Sequence, residues 1–316
     1  MRNPECTTSW IVLVYARPNK LGDCIASIRT FDPNCQIMVF VDKLNSGDGH
    51  LQDLQNEVVD LCDNLLISGK ITHWKMSETN LGTKSAFWEL LKWGFDIAEN
   101  LIYFEDDLVL TESPEKFVIE SLEVMNSSEN YALACLFAQS RHSISPDQLM
   151  RKSNWPELWG VLITKRQFGI LEMAKSNLTQ EDVFRTVERF ADNELNGVLT
   201  RLLKKRFRSI WEYKYAKSVS SRYAWDTELQ LILWKLHKSV LLPLRTYVSD
   251  TGVDETSISK GKLETEILEC YSKISNFSDI CLRCERLRES SNGLFVWKTM
   301  ILRFIPRGRS VKSRKS

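Results

Sequence analysis

Glu105, Asp106 and Asp107 directly follow the apolar run Leu101-Ile102-Tyr103-Phe104, and their types and adjacency are suited to chemistry. Like charges side by side repel, so such a cluster costs free energy unless a cation or water relieves it. Mg²⁺ and Mn²⁺ take oxygen ligands, commonly one or two carboxylates completed by substrate phosphates. Along an extended strand-to-loop segment, residues 105 and 107 share a side, which would turn both toward one ion. A metal there would neutralise charge developing on a diphosphate leaving group, with no protein acid needed. A solvated loop or the first turn of a helix accounts for the same triplet without any ligand.

Other chemistries fail on spelling. Gly82-Thr83-Lys84-Ser85 has Thr83 and Glu78 where a phosphate loop requires glycines. No HExxH, GxSxG or GxGxxG after the first strand occurs. His50, His73, His142 and His237 are too widely spaced for a histidine-rich metal site. Cys281 and Cys284 form a lone CxxC with no second pair to complete a zinc site, and a helix face is the simpler reading.

The elements that would position the triplet alternate. Trp10 to Tyr15 and Gln36 to Val41 read as strands, with a helix from about Leu21 to Arg29 between them. Leu51, Leu54, Val58 and Leu61 mark an amphipathic helix, and Thr72–Met76 a short connecting segment. A further helix carries Phe87, Leu90, Leu91, Gly94 and Ala98 on one face, and Leu101–Phe104 is the strand that ends at the acids. Downstream, Tyr131–Phe137, Gly160–Ile163 and Val240–Leu244 read as strands, the last of them closing the sheet. Glu181–Lys205 and the segment from Trp225 to Leu236 read as helices. The pattern predicts an α/β fold with a mixed, mostly parallel sheet flanked by helices. It also predicts a first domain over residues 1–258 and a helical, basic C-terminal tail over 259–316. In such sheets ligands collect outside the carboxyl ends of the strands, where the triplet stands.

Four segments together resemble a GT-A type nucleotide-sugar glycosyltransferase, of the N-acetylglucosaminyltransferase-I type and its bacterial relatives. They are Val14-Tyr15-Ala16-Arg17-Pro18; Asn80-Leu81-Gly82 opening a helix with Lys84 in its first turn; Tyr103-Phe104-Glu105-Asp106-Asp107; and a downstream series. That series is Leu158-Trp159-Gly160-Val161-Leu162, then Ala224-Trp225-Asp226, then Pro243, Ser249 and Gly252. The resemblance spans roughly residues 10 to 257 and rests on the order of the motifs.

The resemblance implies roles. Asp107 matches the position that contacts Mn²⁺ or Mg²⁺, and Glu105 and Asp106 match positions that touch ribose, phosphate or water ligands. Asp42 resembles the acid that hydrogen-bonds the nucleoside, though a strand-end turn also explains it. Arg17 would pair with phosphate or base, or simply begin a turn with Pro18. Asn80 and Lys84 would stand near the diphosphate, aided by the helix N-terminus; Lys84 also suits an exposed helix position. Asp226 is the candidate catalytic base, since displacement at an anomeric carbon calls for a carboxylate opposite the leaving group, and that geometry inverts the centre. Asp226 equally suits a helix cap. Trp225, Trp159 and Gly160 would contact sugar or acceptor. The chain has Asp254-Glu255-Thr256-Ser257 where relatives often carry a histidine ligand, so a second protein ligand would come from Asp254 or Glu255, or water would replace it.

Composition bounds the partners. Lys plus Arg (42) balances Asp plus Glu (41), so no global field draws the chain to nucleic acid. No run approaches the roughly 18 apolar residues of a membrane-spanning helix. Met1-Arg2-Asn3-Pro4-Glu5 leads into a strand without a leader, and Cys62, Cys135 and Cys270 lie in apolar runs, as buried thiols of a reducing compartment do. These features predict a cytoplasmic protein, on which reading the sequons at Asn126, Asn177 and Asn276 are chance. Lys298, Arg303, Arg307, Arg309, Lys312, Arg314 and Lys315 interleave with apolar residues and suit either a solvated tail or peripheral contact with an anionic membrane. The expected partners are a nucleotide-sugar donor, UDP by default, and a glycan or lipid-linked saccharide acceptor. A sugar nucleotidyltransferase and a non-catalytic carbohydrate- or nucleotide-binding descendant remain as alternatives; the first lacks its Gly-rich loop here, and Asp107 with Asp226 argues against the second.

Overall fold

The computed structural model describes residues 8–45, 47, 49–138, 149–194, 208, 211, 214, 215 and 225–251 of the 316-residue chain. The tail over 259–316, the CxxC, Cys270, the sequon at Asn276, Gly252, Asp254 and Glu255 lie outside the described residues, as does 195–205.

An eight-stranded sheet forms the centre. Its order is β3 (His73–Met76), β2 (Gln36–Val41), β1 (Thr8–Val14), β4 (Asn100–Glu105), β8 (Val161–Thr164), β6 (Tyr131–Cys135), β9 (Ser239–Pro243) and β7 (Met150–Ser153). The first four strands are mutually parallel, with Val12 between Val39 and Phe104 in register. β8 runs antiparallel to both β4 and β6, β9 runs parallel to β6, and β7 runs antiparallel to β9. The sheet is therefore mixed and mostly parallel. A separate ribbon pairs β5 (Leu108–Leu110) with β10 (Val248–Asp250), so Val240–Leu244 is not the last strand.

Helices cover both faces, because the parallel strands β1, β2 and β4 are buried on both sides. Trp10, Val12, Val14, Ile37, Val39 and Val41 face α1 (Pro18–Phe31), α2 (Gly49–Ile67) and α4 (Glu115–Ser127). Ile11, Leu13, Met38 and Phe40 face α3 (Gly82–Phe95), α5 (Lys165–Ser176) and α7 (Trp225–Lys235). Period-two alternation along the strands thus divides the core into two clusters.

Two elements differ from the sequence reading. In α2 the buried stripe is Gln55, Val58, Cys62 and Leu65 rather than Leu51, Leu54, Val58 and Leu61. Gln55 is the reason: its amide accepts from Leu44 N–H at 2.9 Å and donates to the carbonyls of Asp42 (2.9 Å) and Tyr15 (3.1 Å). It braces the ends of β1 and β2 from the core side. β7, Met-Arg-Lys-Ser, has no strand pattern and is held by its ladder to β9.

The described residues up to Val187 and from Trp211 to Thr251 belong to one compact unit. A second begins at Glu188 within α6 (Gln180–Glu194); in it Arg208 pairs with Glu188 at 2.8 Å and Asp192 at 3.8 Å. Among the described residues no helix is long and apolar enough to cross a membrane. Cys24, Cys35, Cys62 and Cys135 are buried free thiols.

Candidate active site

From β1 the chain goes to β2 and β3 on one side, while β4 pairs on the other. The connections after β1 and β4 therefore diverge, and a topological switch of this kind opens a crevice at the carboxyl ends of the strands. Arg17 follows β1 as the N-cap position of α1, and Asp106 and Asp107 follow β4. Asp106 N–H donates to Leu13 O at 3.1 Å, which extends the β1–β4 ladder and fixes the acidic segment against β1. Arg17 Nε and Nη2 fork the two Asp106 oxygens, Nε to Oδ2 at 3.2 Å, and Nη1 reaches Asp107 Oδ2 at 3.1 Å. Asp106 is 2% exposed, so its charged form depends on that fork. Burial pushes its pKa up to about 7, against the pull of Arg17 and with a further push from Asp107. Arg17 is held charged: burial lowers its pKa, and the two aspartates outweigh it.

Glu105 turns the other way. Its Oε1 accepts from Tyr103 OH at 2.9 Å and from Trp225 Nε1 at 3.0 Å. Tyr103 lies two residues upstream, on the same side of the strand. Burial, with Asp107 adding to it, raises the Glu105 pKa to about 7, and the Tyr103 and Trp225 donors lower it. Residues 105 and 107 are thus held by different partners, Glu105 by aromatic donors and Asp107 by Arg17. The Asp107 backbone carbonyl accepts from Thr251 N–H (2.8 Å) and Oγ1 (2.9 Å), and Lys20 Nζ donates to Thr251 O at 2.6 Å. β10 and α1 thereby close the outer side of the segment.

The segment Asn80-Leu81-Gly82 is held by β2. The Asp42 carboxylate accepts from Leu81 N–H (2.8 Å), Gly82 N–H (2.9 Å) and Ser77 Oγ (3.3 Å) and is buried. Asp42 is therefore the anion at the N-terminus of α3. Gly82 has φ +71°, a left-handed conformation that favours glycine. Asn80 Nδ2 donates to Lys43 O at 2.7 Å. Lys84 pairs with Glu228 at 3.1 Å rather than standing as an exposed helix lysine, and Glu228 also accepts from Trp88 Nε1 at 2.8 Å.

Trp225 is only 6% exposed. Its ring stacks on Phe87, centroids 4.2 Å apart and 17° between planes, and meets Tyr103 edge-on at 5.2 Å. A ring so covered offers no face for a sugar. Asp226, the next residue, is exposed in the first turn of α7, where Oδ1 accepts from Thr227 N–H at 2.7 Å. Burial lowers the pKa of Lys214, and the charge of Asp226 opposes that shift. Trp159 is 37% exposed and tilts against Phe137 at 4.4 Å. Gly160, with φ +72°, lies opposite Phe104: a Cβ there would come within 2.7 Å of Phe104 Cε1. Trp159 precedes it, at the end of the sheet where Glu105 leaves β4.

The residues that sequence reasoning missed are partners rather than motif members: Tyr103 as a donor, Thr251, Lys20, Glu228 and Phe137. Only Tyr103 carried a signal, its two-residue spacing from Glu105. Among the described residues no three His, Cys, Asp or Glu side chains converge as metal ligands. A divalent cation here would fit one protein carboxylate, that of Asp107, with diphosphate oxygens and water completing the shell. Asp107, 18% exposed, is reachable from the crevice in a way that Asp106 is not.

Among solved structures the chain is similar to S. aureus TarS, at 11% identity and TM-score 0.37, over 67% of this chain and 44% of that one. It is also similar to S. aureus TarS 1-349 in complex with UDP, at 13% identity and TM-score 0.34, over 67% and 72% of the two chains. For TarS 1-349 described without UDP the values are 11% and 0.34, over 67% and 73%. The chain thus spans less than half the length of the full TarS chain it matches. No family model and no curated protein matches the sequence.

Proposed function

We propose that this chain is a metal-dependent glycosyltransferase of GT-A type, related to the N-acetylglucosaminyltransferase-I group. It moves a hexosyl or N-acetylhexosaminyl group from a nucleotide-diphosphate donor, UDP by default, to a hydroxyl of a glycan or lipid-linked acceptor. The observation that carries this reading is the convergence of Arg17 with Asp106 and Asp107 in the crevice between β1 and β4. The exposed Asp226, one residue from the tryptophan bonded to Glu105, supplies the carboxylate that a transferase needs and a binding module does not.

In this reading Asp107 holds Mn²⁺ or Mg²⁺, which when bound supplies positive charge to the departing diphosphate. Arg17 fixes both aspartates and adds its own charge beside the donor phosphates. Asp42 and Asn80 hold the turn before α3 against the nucleotide side. The acceptor oxygen bonds to the anomeric carbon as the bond from that carbon to phosphate oxygen breaks. Asp226 takes the hydroxyl proton, and the diphosphate leaves with the electron pair. Attack from the face opposite the leaving group inverts the centre. Trp159 with Phe137, open at the same end of the sheet, is the acceptor contact, since exposed aromatic faces stack on the C–H faces of sugars. We place the protein in the cytoplasm, with the basic tail as its contact to an anionic membrane face.

Asp226→Asn tests the chemistry. Turnover with a panel of nucleotide sugars should nearly vanish while donor binding persists; unchanged turnover would remove Asp226 from the mechanism.

A further inference from the structure

The helix that carries Asp226 is joined to the acidic segment through one side chain. Trp225 opens α7, and its indole N–H reaches Glu105 Oε1 at 3.0 Å across 120 residues of sequence. The same carboxylate oxygen accepts from Tyr103 OH, so Glu105 is pinned from its own strand and from α7 at once. Three residues along α7, one helical turn away, Glu228 accepts from Trp88 Nε1 and pairs with Lys84. Phe87 fills the space between these contacts, stacked on Trp225 and edge-on to both Trp88 (5.3 Å) and Tyr103 (5.0 Å). The first turn of α7 is therefore held by two hydrogen-bonded carboxylates, Glu105 on β4 and its own Glu228 bonded to Trp88 and Lys84 of α3, around a packed aromatic centre.

We propose that Trp225 is a positioning residue rather than a sugar contact, and that its N–H bond to Glu105 sets where Asp226 stands relative to Asp106 and Asp107. Resting on the transferase reading above, it specifies how the two halves of that site are registered. The ring is too enclosed to stack on a ligand, while the N–H is the part directed at the site. Glu105 acts here through its acceptor oxygen, so a neutral amide that keeps Oε1 can stand in for it.

Because the aromatic centre is large, Trp225→Ala risks unfolding, and Trp225→Phe is the informative variant: it keeps an aromatic ring against Phe87 and loses the donor together with one ring of the indole. The account expects Trp225→Phe to lower turnover about 10- to 100-fold, as small misplacement of a reacting group does, with the KM for the donor within about twofold. In an Asp226→Asn background the same change should add no further loss, since Trp225 acts through Asp226. Glu105→Gln should retain more turnover than Glu105→Leu. A readout independent of any activity accompanies these: the Trp225 indole N–H signal, assigned by its loss in Trp225→Phe, should exchange slowly in the wild type and rapidly in Glu105→Leu. Amides of residues 226–231 should exchange faster in Trp225→Phe. Full turnover in Trp225→Phe, or a loss that multiplies with that of Asp226→Asn, would overturn the positioning role. Fast indole exchange in the wild type would do the same. Slow exchange in a protein that transfers no sugar from any donor would instead sink the transferase reading and leave the structural link standing.

Discussion

Arg17 ends the connection out of β1 and Asp106 opens the connection out of β4, and the two meet as a guanidinium–carboxylate fork, Nε 3.2 Å from Oδ2. This pair bridges the switch point of the sheet and makes the candidate site part of the fold's own stability. Removing one partner of a buried pair leaves an uncompensated charge, a loss of about 3 kcal/mol. Arg17→Met should therefore lower unfolding free energy by about that amount in urea titrations at pH 8. Arg17→Lys should fall between the two, because an ammonium cannot reproduce the fork. Wild-type stability in Arg17→Met would show that the fork holds nothing.

Acidity should act on the same segment in the opposite sense to the usual carboxylate. Glu105 and Asp106 have folded pKa values pushed up to about 7, chiefly by burial, above their ordinary range. The folded state then binds more protons than the unfolded chain between the two values, so stability is fully present below the ordinary carboxylate pKa and is lost as pH rises through 7. Metal-free protein should unfold at lower urea concentration at pH 8 than at pH 5.5, and Glu105→Gln should flatten that slope. A slope unchanged in Glu105→Gln would exclude Glu105 as a source.

How much of this was legible is best judged by particular residues. The stripe of Phe87, Leu90, Leu91 and Gly94 gave α3 its buried face, because helical spacing of apolar residues reports burial directly. Gln55 was invisible, since a polar residue enters the core only when its partners, here three backbone groups, are known. Arg17 and Asp106 were each singled out, but their pairing spans 89 positions and depends on β1 and β4 being neighbours. The sequence allows Asp42 as a nucleoside contact or a turn, and its carboxylate caps α3, which needs the fold to bring Leu81 beside β2.

Gly160 should resist substitution. Its φ of +72° strains any residue with a Cβ, and that atom would meet Phe104 at 2.7 Å. Gly160→Ala should cost about 2–4 kcal/mol, the sum of left-handed strain and overpacking, read by denaturant unfolding. A loss below about 1 kcal/mol would mean that β4 and β8 separate easily at this end.

On the proposed reading Trp159 contacts the acceptor and not the donor. Trp159→Ala should raise the acceptor KM about tenfold, the worth of one stacking contact, with donor affinity within about twofold. Equal weakening of both would place Trp159 in the donor site.

The central claim is that the crevice between β1 and β4 binds a nucleotide sugar through Asp107 and a divalent cation. Calorimetry with UDP-, GDP- and other nucleotide sugars, with and without Mn²⁺, on wild-type protein and Asp107→Ala tests it most directly. The account predicts that at least one donor binds the wild type only with Mn²⁺, and that Asp107→Ala loses this binding while remaining folded. Failure of every donor to bind under any metal condition, or undiminished Mn²⁺-dependent binding in Asp107→Ala, would contradict it.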